Sequence, residues 1–276
     1  MAGMSQTILL RPVPDFDAAR KQKNGYREYP LNTAGERNSE PMVDIAQYGI
    51  AGQSYYSRPN GATGDPLPGV APEVFVRHSV AERLATINYA LQQSDEVAHV
   101  LDGRHVELYV DEGWRSLAVQ RKLYEETFPA FIAKQHPQWT AVQVLARRNE
   151  LIAEPSDEPS LPSPHVTGAA VDLKLRFVHN DLGFVPNSMV PMSNQPVSTS
   201  DTTNPDYYEH KKPLTKNDGI MRRNRRVFYW VMRGALIGDD PGFAVNPTEW
   251  WHWSYGDQLW ATLTTAPQAF FGIPPE

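Results

Sequence analysis

Apolar and polar residues alternate in two stretches of the chain, residues 105–111 and 169–178, as they do in β-strands with one buried face. A third strand is predicted over residues 250–255. Short apolar pieces separated by Gly, Pro and Asn indicate a further strand near residue 42, followed by a long loop to about residue 69. These strands are enough to predict one sheet.

Apolar residues spaced three and four apart predict helices between and after the strands. The stretch 79–93 opens with Ser79 and Glu82 at the spacing of a capping box. A second helix is predicted over residues 116–128, where Pro129 interrupts the pattern. The third covers residues 140–152, with Val142, Leu145 and Ile152 on its buried side, and the fourth begins with Asn217 or Asp218 as its cap.

The fourth helix carries four arginines, which raise the question of a phosphate site. We interpret them instead as a solvated or ion-paired helix face, because the protein as a whole is acidic. The residues are Arg222, Arg223, Arg225 and Arg226.

Polar and proline-rich stretches separate these elements. Residues 1–40 are mostly polar and predict an extended N-terminal arm, which leaves residues 41–276 as a single domain. Residues 153–164 hold four prolines and form either a loop of the site or a domain linker, of which we prefer the loop. Residues 180–213 have little periodicity and predict a long functional loop.

Composition narrows the classes of function. The net charge of −6 makes nucleic acids and anionic membranes poor partners. There is no cysteine, which excludes a thiolate nucleophile and a cysteine metal site. We find neither a convincing signal peptide nor an apolar run of membrane-spanning length, so we expect a soluble, cytoplasmic protein.

Two segments carry the candidate chemistry: SPHVTGAAVD at residues 163–172 and PTEWWH at residues 247–252. Together, His165, Asp172 and His252 provide the ligands of an open catalytic zinc site. Residues seven or three apart on a flat strand point to opposite faces, so we place His165 in a loop and Glu249 in a lead-in before its strand. The alternative is that both histidines are ordinary hydrogen-bonded residues.

At these residues the chain resembles the D-alanyl-D-alanine dipeptidases of the vancomycin-resistance type. That family is related to the D-Ala-D-Ala carboxypeptidases and to Hedgehog-fold zinc proteins. Its motifs S-x-H-x-x-G-x-A-x-D and E-x-W-H are both intact here. The resemblance implies one zinc per chain, held by His165, Asp172 and His252. It also implies that Glu249 is the catalytic base and that Ser163 contacts the substrate.

A third family segment, an arginine after D-G-Y, matches Glu112-Gly113-Trp114-Arg115. The resemblance implies that Arg115 stabilises the negative oxygen formed during peptide hydrolysis. Without the resemblance, a surface ion pair of Arg115 with Glu112 or Asp111 would be the better interpretation.

We therefore predict an α+β fold with a central, mainly antiparallel sheet flanked by helices, similar to the Hedgehog and D-Ala-D-Ala peptidase fold. The predicted function is zinc-dependent hydrolysis of a dipeptide or short peptide. One alternative is a cell-wall carboxypeptidase or endopeptidase that acts on longer or N-blocked peptides. The other is a non-catalytic, zinc-stabilised binding module. The oligomeric state stays open.

One departure from the family pattern concerns the substrate. Family members have a segment like V-P-M-G-x-x-F-D, whose aspartate is understood to bind the substrate's ammonium group. The matching stretch here is VPMSNQPV, which places Val197 at that position. A buried ammonium without a counter-charge is costly, so we expect weak activity on D-Ala-D-Ala unless another acid substitutes. Asp201 and Asp206 are the candidates.

Overall fold

A computed structural model describes residues 7–178, 188–193 and 201–275. Seven strands are formed in this part of the chain. They are β1 Met42–Asp44, β2 Ala51–Gly52, β3 Phe75–Arg77, β4 Val106–Glu112, β5 Ala170–Phe177, β6 Ala244–Asn246 and β7 Glu249–Ser254. The α-helices are α1 Asp17–Lys23, α2 His78–Gln92, α3 Asp95–Val100, α4 Leu117–Lys122, α5 Phe128–Gln135, α6 Ala141–Leu151, α7 Tyr207–His210, α8 Lys216–Met232 and α9 Gln258–Thr264.

The strands form a five-stranded sheet in the order β2-β4-β5-β7-β6 and a separate pair, β1-β3. Only the β2–β4 contact in the large sheet is parallel, and its other pairs are antiparallel. The prediction of an α+β fold with a mainly antiparallel sheet is confirmed.

The two faces of the sheet differ because side chains alternate along β4 and β5. Leu173 and Leu175 of β5 are fully buried in the main hydrophobic core, to which α2 contributes Leu84 and α8 contributes Val227. Asp172, Lys174 and Arg176 lie on the opposite face of β5. The candidate metal ligand Asp172 therefore lies on the polar face of the sheet, away from the main core.

Helix boundaries correct two details of the sequence analysis. Ser79 is not a cap, because α2 already begins at His78 and no side chain caps it. Thr215 caps α8, and Asp218 is the third residue of the helix and completes the capping box. The prediction that Asn217 or Asp218 is the cap was therefore wrong by two or three residues. Asp218 instead accepts a hydrogen bond from the backbone N–H of the cap residue, Thr215.

Pro129 does not stop the helical path that starts at α4. A π-helical turn, Leu123–Thr127, connects α4 directly to α5, and Pro129 lies in the first turn of α5, where a missing N–H costs little. In α6 the buried side is formed by Val144, whereas Val142 is 77% exposed and Leu145 is 42% exposed. The predicted buried face of α6 was therefore wrong at Val142 and Leu145, whereas Ile152, which directly follows the helix, is buried.

Arg225 corrects the interpretation of the four arginines in α8. It is only 3% exposed, and its guanidinium donates to the backbone oxygens of Met192, Thr202 and Asn204. Arg225 therefore holds the chain before α7 in place. Arg226 pairs with Glu209, as expected for an ion-paired face.

The N-terminal segment contains a helix where the sequence predicts an extended arm over residues 1–40. Helix α1 has good helix formers but little apolar periodicity, so the pattern does not reveal it. Its Arg20 makes an ion pair of 2.9 Å with the buried carboxylate of Asp206. Part of the predicted loop 180–213 is also helical, in α7, and residues 179–187 and 194–200 lie outside the described part. No helix of the described residues could cross a membrane.

Candidate metal and catalytic site

His165 is presented by a short turn directly before β5. Pro164–Thr167 forms a single 3-10 turn, and Gly168 ends it with φ of 72°. A side chain at Gly168 would be strained in that conformation and would overlap Met42. The turn supports the prediction that His165 precedes the strand that carries Asp172.

The end of β4 fixes the orientation of the His165 ring. The Nδ1 atom of His165 lies 2.8 Å from the carbonyl oxygen of Gly113, and the Arg115 N–H donates to the carbonyl oxygen of His165 at 3.1 Å. A Cβ atom at Gly113 would overlap the carbonyl oxygen of Phe75, so the close packing of Gly113 against β3 requires glycine. With Nδ1 engaged in this way, the Nε2 atom of His165 faces Asp172.

Asp172 and His252 are paired residues on β5 and β7. The Oδ1 atom of Asp172 is 3.1 Å from Nδ1 of His252 and 3.4 Å from Nε2 of His165. The two imidazole rings meet edge to face with their centres 4.8 Å apart. Two ring nitrogens therefore converge on one carboxylate oxygen.

This group has the donors of a three-residue metal site. One potential ligand atom of each of His165, Asp172 and His252 lies within 4.8 Å of the others. Imidazole nitrogen together with carboxylate oxygen suits zinc and several other divalent metals. The ring atoms that point away from the group also have partners, since Nε2 of His252 lies 3.4 Å from Oγ of Ser254. Such outer contacts are what orient metal-binding histidines.

A second acidic group does not have this character. Asp15, Asp206 and His210 are also close together. However, the carboxylate of Asp206 already accepts hydrogen bonds from the Arg20 guanidinium and from the backbone N–H of Phe16. We interpret this group as an ion-pair network that anchors the N-terminal segment.

Electrostatics keep Asp172 ionised. Burial would raise the pKa of Asp172, but the charge of His165 and the hydrogen bonds with both histidines outweigh burial and lower the pKa. Burial lowers the pKa of His165. Burial also acts to lower the pKa of His252, but the Asp172 carboxylate reverses the effect and the pKa is raised. Metal ligands must be deprotonated, so a metal that bound here would compete with protons for the two imidazoles.

Glu249 reaches the same site from the first residue of β7. Its Oε2 atom is 3.8 Å from Nδ1 of His252 and accepts a hydrogen bond of 2.8 Å from Asn246. Glu249 is the first residue of the strand, so the prediction that it lies in a lead-in before the strand was wrong. The β6–β7 register is irregular, since Val245 pairs with Trp253 and Asn246 pairs with Glu249. This irregularity lets Glu249 and His252, which are three residues apart, face the same site. Burial raises the pKa of the Glu249 carboxyl.

Arg115 lies immediately after β4 and is only 6% exposed. Its Nη1 atom donates to the side-chain oxygen of Gln120 at 2.8 Å, and its guanidinium lies over the ring of Tyr56. Its Nε atom is buried, and the described residues offer it no hydrogen-bond acceptor. The nearest carboxylate, Glu112, is 3.9 Å away, and Asp111 pairs with other cations. A simple surface ion pair does not describe this arginine.

Ser163 lies at the wall of the same cavity. Its side chain is 2% exposed, and its Oγ atom has no hydrogen-bond partner within the described ranges. A buried hydroxyl without a partner is costly unless a ligand provides one. This observation fits the predicted contact with substrate.

Three other residues of the cavity wall were not found from the sequence. Gln120 holds Arg115, Asn246 holds Glu249, and Lys23 of α1 donates to the Thr248 hydroxyl. Only Asn246 had a local signal, because the sequence Asn-Pro-Thr favours a turn before Glu249. Gln120 and Lys23 look like ordinary helix residues.

The two aspartates suggested as ammonium ligands are placed elsewhere. Neither Asp201 nor Asp206 lines the cavity, and Asp206 is paired with Arg20. Asp206 is therefore not available as a counter-charge, and that suggestion was wrong. Val197, at the position of the family's aspartate, lies outside the described residues.

The candidate metal and catalytic residues open onto one cavity of about 810 Å³. Its wall includes the three potential metal ligands together with Glu249, Arg115 and Ser163. This is the size of cavity that holds a small organic ligand or a short peptide.

Comparison with known proteins gives one informative relative. No family model matches the chain. A protein of Synechocystis sp. named D-alanyl-D-alanine dipeptidase is 28% identical over 246 residues, which cover 86% of this chain and 88% of the relative. The similarity therefore extends over almost the full length of both proteins.

Proposed function

We propose that this chain, which is similar to a D-alanyl-D-alanine dipeptidase over almost its full length, is a zinc-dependent peptidase that hydrolyses a dipeptide or short peptide. The observation that carries this proposal is the convergence of two histidines and an aspartate within 4.8 Å, with the Glu249 carboxylate beside them. His165 Nε2, Asp172 Oδ1 and His252 Nδ1 would hold the metal. When bound, zinc supplies Lewis acidity toward the peptide carbonyl and lowers the pKa of water.

The protein's own residues perform the proton transfers. Asn246 holds Oε2 of Glu249, so the other carboxylate oxygen, Oε1, receives the proton of the attacking water. The same carboxyl then returns this proton to the leaving amine. Water and one peptide bond become a new carboxylate and a free amine.

Arg115 and Ser163 act on the substrate. The Arg115 guanidinium carries a fixed positive charge and has a buried N–H without a partner among the residues described. It can therefore donate to the carbonyl oxygen as negative charge develops there. The Ser163 hydroxyl is free to hydrogen-bond to the peptide. Gln120 fixes the direction of the guanidinium.

The two alternatives predict different outcomes with the same substrates. A carboxypeptidase or endopeptidase of the cell wall would prefer N-acylated or longer peptides, and the 810 Å³ cavity has room for them. A zinc-stabilised binding module would have no need of Glu249 and Arg115 beside the metal group.

A stereochemically defined panel of dipeptides, N-acyl dipeptides and tripeptides tests the proposal. The purified zinc-loaded protein should release free amine from at least one free dipeptide, and chelation should abolish the release reversibly. Cleavage of only the blocked or longer peptides would support the first alternative. No cleavage of any peptide, with zinc bound, would overturn the proposal.

A further inference from the structure

The cavity extends from the metal group to the helices that follow Arg115. Its wall there is formed by residues of the π-helical turn, α5 and the end of α6. These residues include Tyr124, Phe128, Phe131 and Ile152. We refer to these four, together with Tyr56, as the aromatic wall.

Four of the five residues of the aromatic wall belong to, or pack against, a small hydrophobic cluster that is separate from the main core. Tyr56, Tyr124 and Ile152 are buried in this cluster, and Phe128 packs against it. Phe128 and Phe131 meet edge to face with ring centres 6.3 Å apart, and both rings are only partly buried. Partly exposed aromatic faces inside a cavity favour an apolar ligand group, because that group removes them from water.

The wall is held in place before any ligand arrives. The Tyr124 hydroxyl donates to Asn149 at 2.9 Å, and the Arg148 guanidinium stacks on the Tyr124 ring at 3.7 Å. Since these contacts fix the ring, a ligand would lose little free energy in ordering it.

The wall is directly connected to the groups that act on the peptide. The Arg115 guanidinium lies 5.1 Å from the centre of the Tyr56 ring. Gln120, which orients Arg115, also donates to the backbone oxygen of Ala153, one residue after Ile152. The end of the aromatic wall formed by Tyr56 and Ile152 therefore adjoins the arginine that would contact the carbonyl oxygen of the peptide.

We propose that the substrate is a peptide with a large aromatic side chain next to the bond that is cleaved, and that the aromatic wall binds this side chain. The inference rests on the proposed peptidase function. The methyl groups of a dialanine peptide would leave most of the 810 Å³ cavity filled with water. An aromatic side chain would cover Phe128 and Phe131.

Kinetics on matched dipeptides tests the inference. The zinc-loaded protein is assayed with Ala-Ala and with dipeptides that carry phenylalanine at either position, each in both stereochemical series. One phenylalanine peptide should have a kcat/KM about tenfold to hundredfold above that of Ala-Ala, which is the usual effect of burying one large apolar side chain. Phe131→Ala should reduce this ratio at least about fivefold.

Val142→Ala is the matched control, because Val142 is exposed on the neighbouring helix α6 and does not line the cavity. This variant should keep the wild-type ratio. If the wild-type enzyme has the same kcat/KM for Ala-Ala and for every phenylalanine peptide, the aromatic preference is overturned. The proposed peptidase function would remain intact.

Binding measurements separate the two claims if no peptide is cleaved. Titration of the zinc-loaded protein with the same peptides should give a dissociation constant about tenfold lower for one phenylalanine peptide than for Ala-Ala, and Phe131→Ala should remove the difference. That result without cleavage would refute the peptidase function and support the aromatic wall. Equal binding of all peptides would refute the aromatic wall.

Discussion

Asp172 and His252 are direct partners on neighbouring antiparallel strands, with Oδ1 of Asp172 3.1 Å from Nδ1 of His252. The two preceding pairs of the ladder, Val171 with Trp253 and Ala170 with Ser254, are buried and fix this register. A shift by one residue would turn Asp172 into the core. The metal group therefore depends on the pairing of two segments that are eighty residues apart.

The first prediction concerns metal content. The purified wild-type protein should hold about one zinc per chain after dialysis. His165→Ala and His252→Ala should each hold far less, because two protein ligands form a much weaker site. His99→Ala, an exposed histidine on α3, is the control. Elemental analysis gives the result, and full zinc in both folded site variants would show that the ligands are different.

The second prediction concerns Arg115. Arg115→Ala should lower kcat/KM by about 10² to 10³, the usual loss for an oxyanion donor. Arg115→Lys should recover little, because an ammonium lacks the planar fork that contacts both Gln120 and the substrate. Arg121→Ala, which removes an exposed arginine in the next helix, should have normal kinetics. Unchanged kcat/KM in Arg115→Ala would remove this residue from the mechanism.

The third prediction concerns Glu112 and pH. Burial raises the pKa of the Glu112 carboxyl from 4.5 to about 8. Between these pH values the folded protein keeps a proton that the unfolded chain releases, so this group makes the free energy of unfolding fall as pH rises from 4.5 to 8. In Glu112→Gln this contribution disappears, and the fall should be smaller.

Urea unfolding of the chelated protein at several pH values measures this effect, since a nearby divalent cation would itself shift the pKa. Glu126→Gln, at an exposed position, should retain the wild-type pH dependence. The assignment would be wrong if Glu112→Gln had the same slope as the wild type.

The fourth prediction concerns Arg77, which is fully buried beneath the His165 turn. Its guanidinium donates to backbone oxygens of Thr167, Asn38, Glu40 and Gly272. Arg77→Ala leaves these acceptors unpaired and should lower the free energy of unfolding by about 3 kcal/mol or more. Arg104→Ala, at a partly exposed arginine, should change it by less than about 1 kcal/mol. A loss below about 1 kcal/mol in Arg77→Ala would contradict this role.

The sequence predicts the elements that have local patterns. The strand with Asp172 follows from alternation, and the turn at His165 follows from Pro164 and Gly168. The sequence does not predict contacts made by residues that are distant along the chain. Charged side chains such as those of Arg77 and Arg225 are expected at the surface. Each is nevertheless buried, because its guanidinium donates to backbone oxygens of other segments.

The same limit applies inside the site. Motifs point to His165, Asp172 and His252, but no local pattern indicates that Gln120 would hold Arg115. The irregular β6–β7 register, which brings Glu249 into the strand, also depends on cross-strand pairing and not on local sequence. Helix α1 is not predicted from the sequence because it is attached to the domain by the ion pair of Arg20 with Asp206 and has no periodic apolar face.

The most direct test of the central claim compares the wild type with Glu249→Gln, both loaded with zinc, on the best dipeptide of the panel. Glutamine retains the shape of the side chain but cannot accept the proton. Glu249→Gln should retain about one zinc per chain and lose about 10² or more in kcat. Wild-type turnover in a zinc-loaded Glu249→Gln protein would contradict the proposed role of this site.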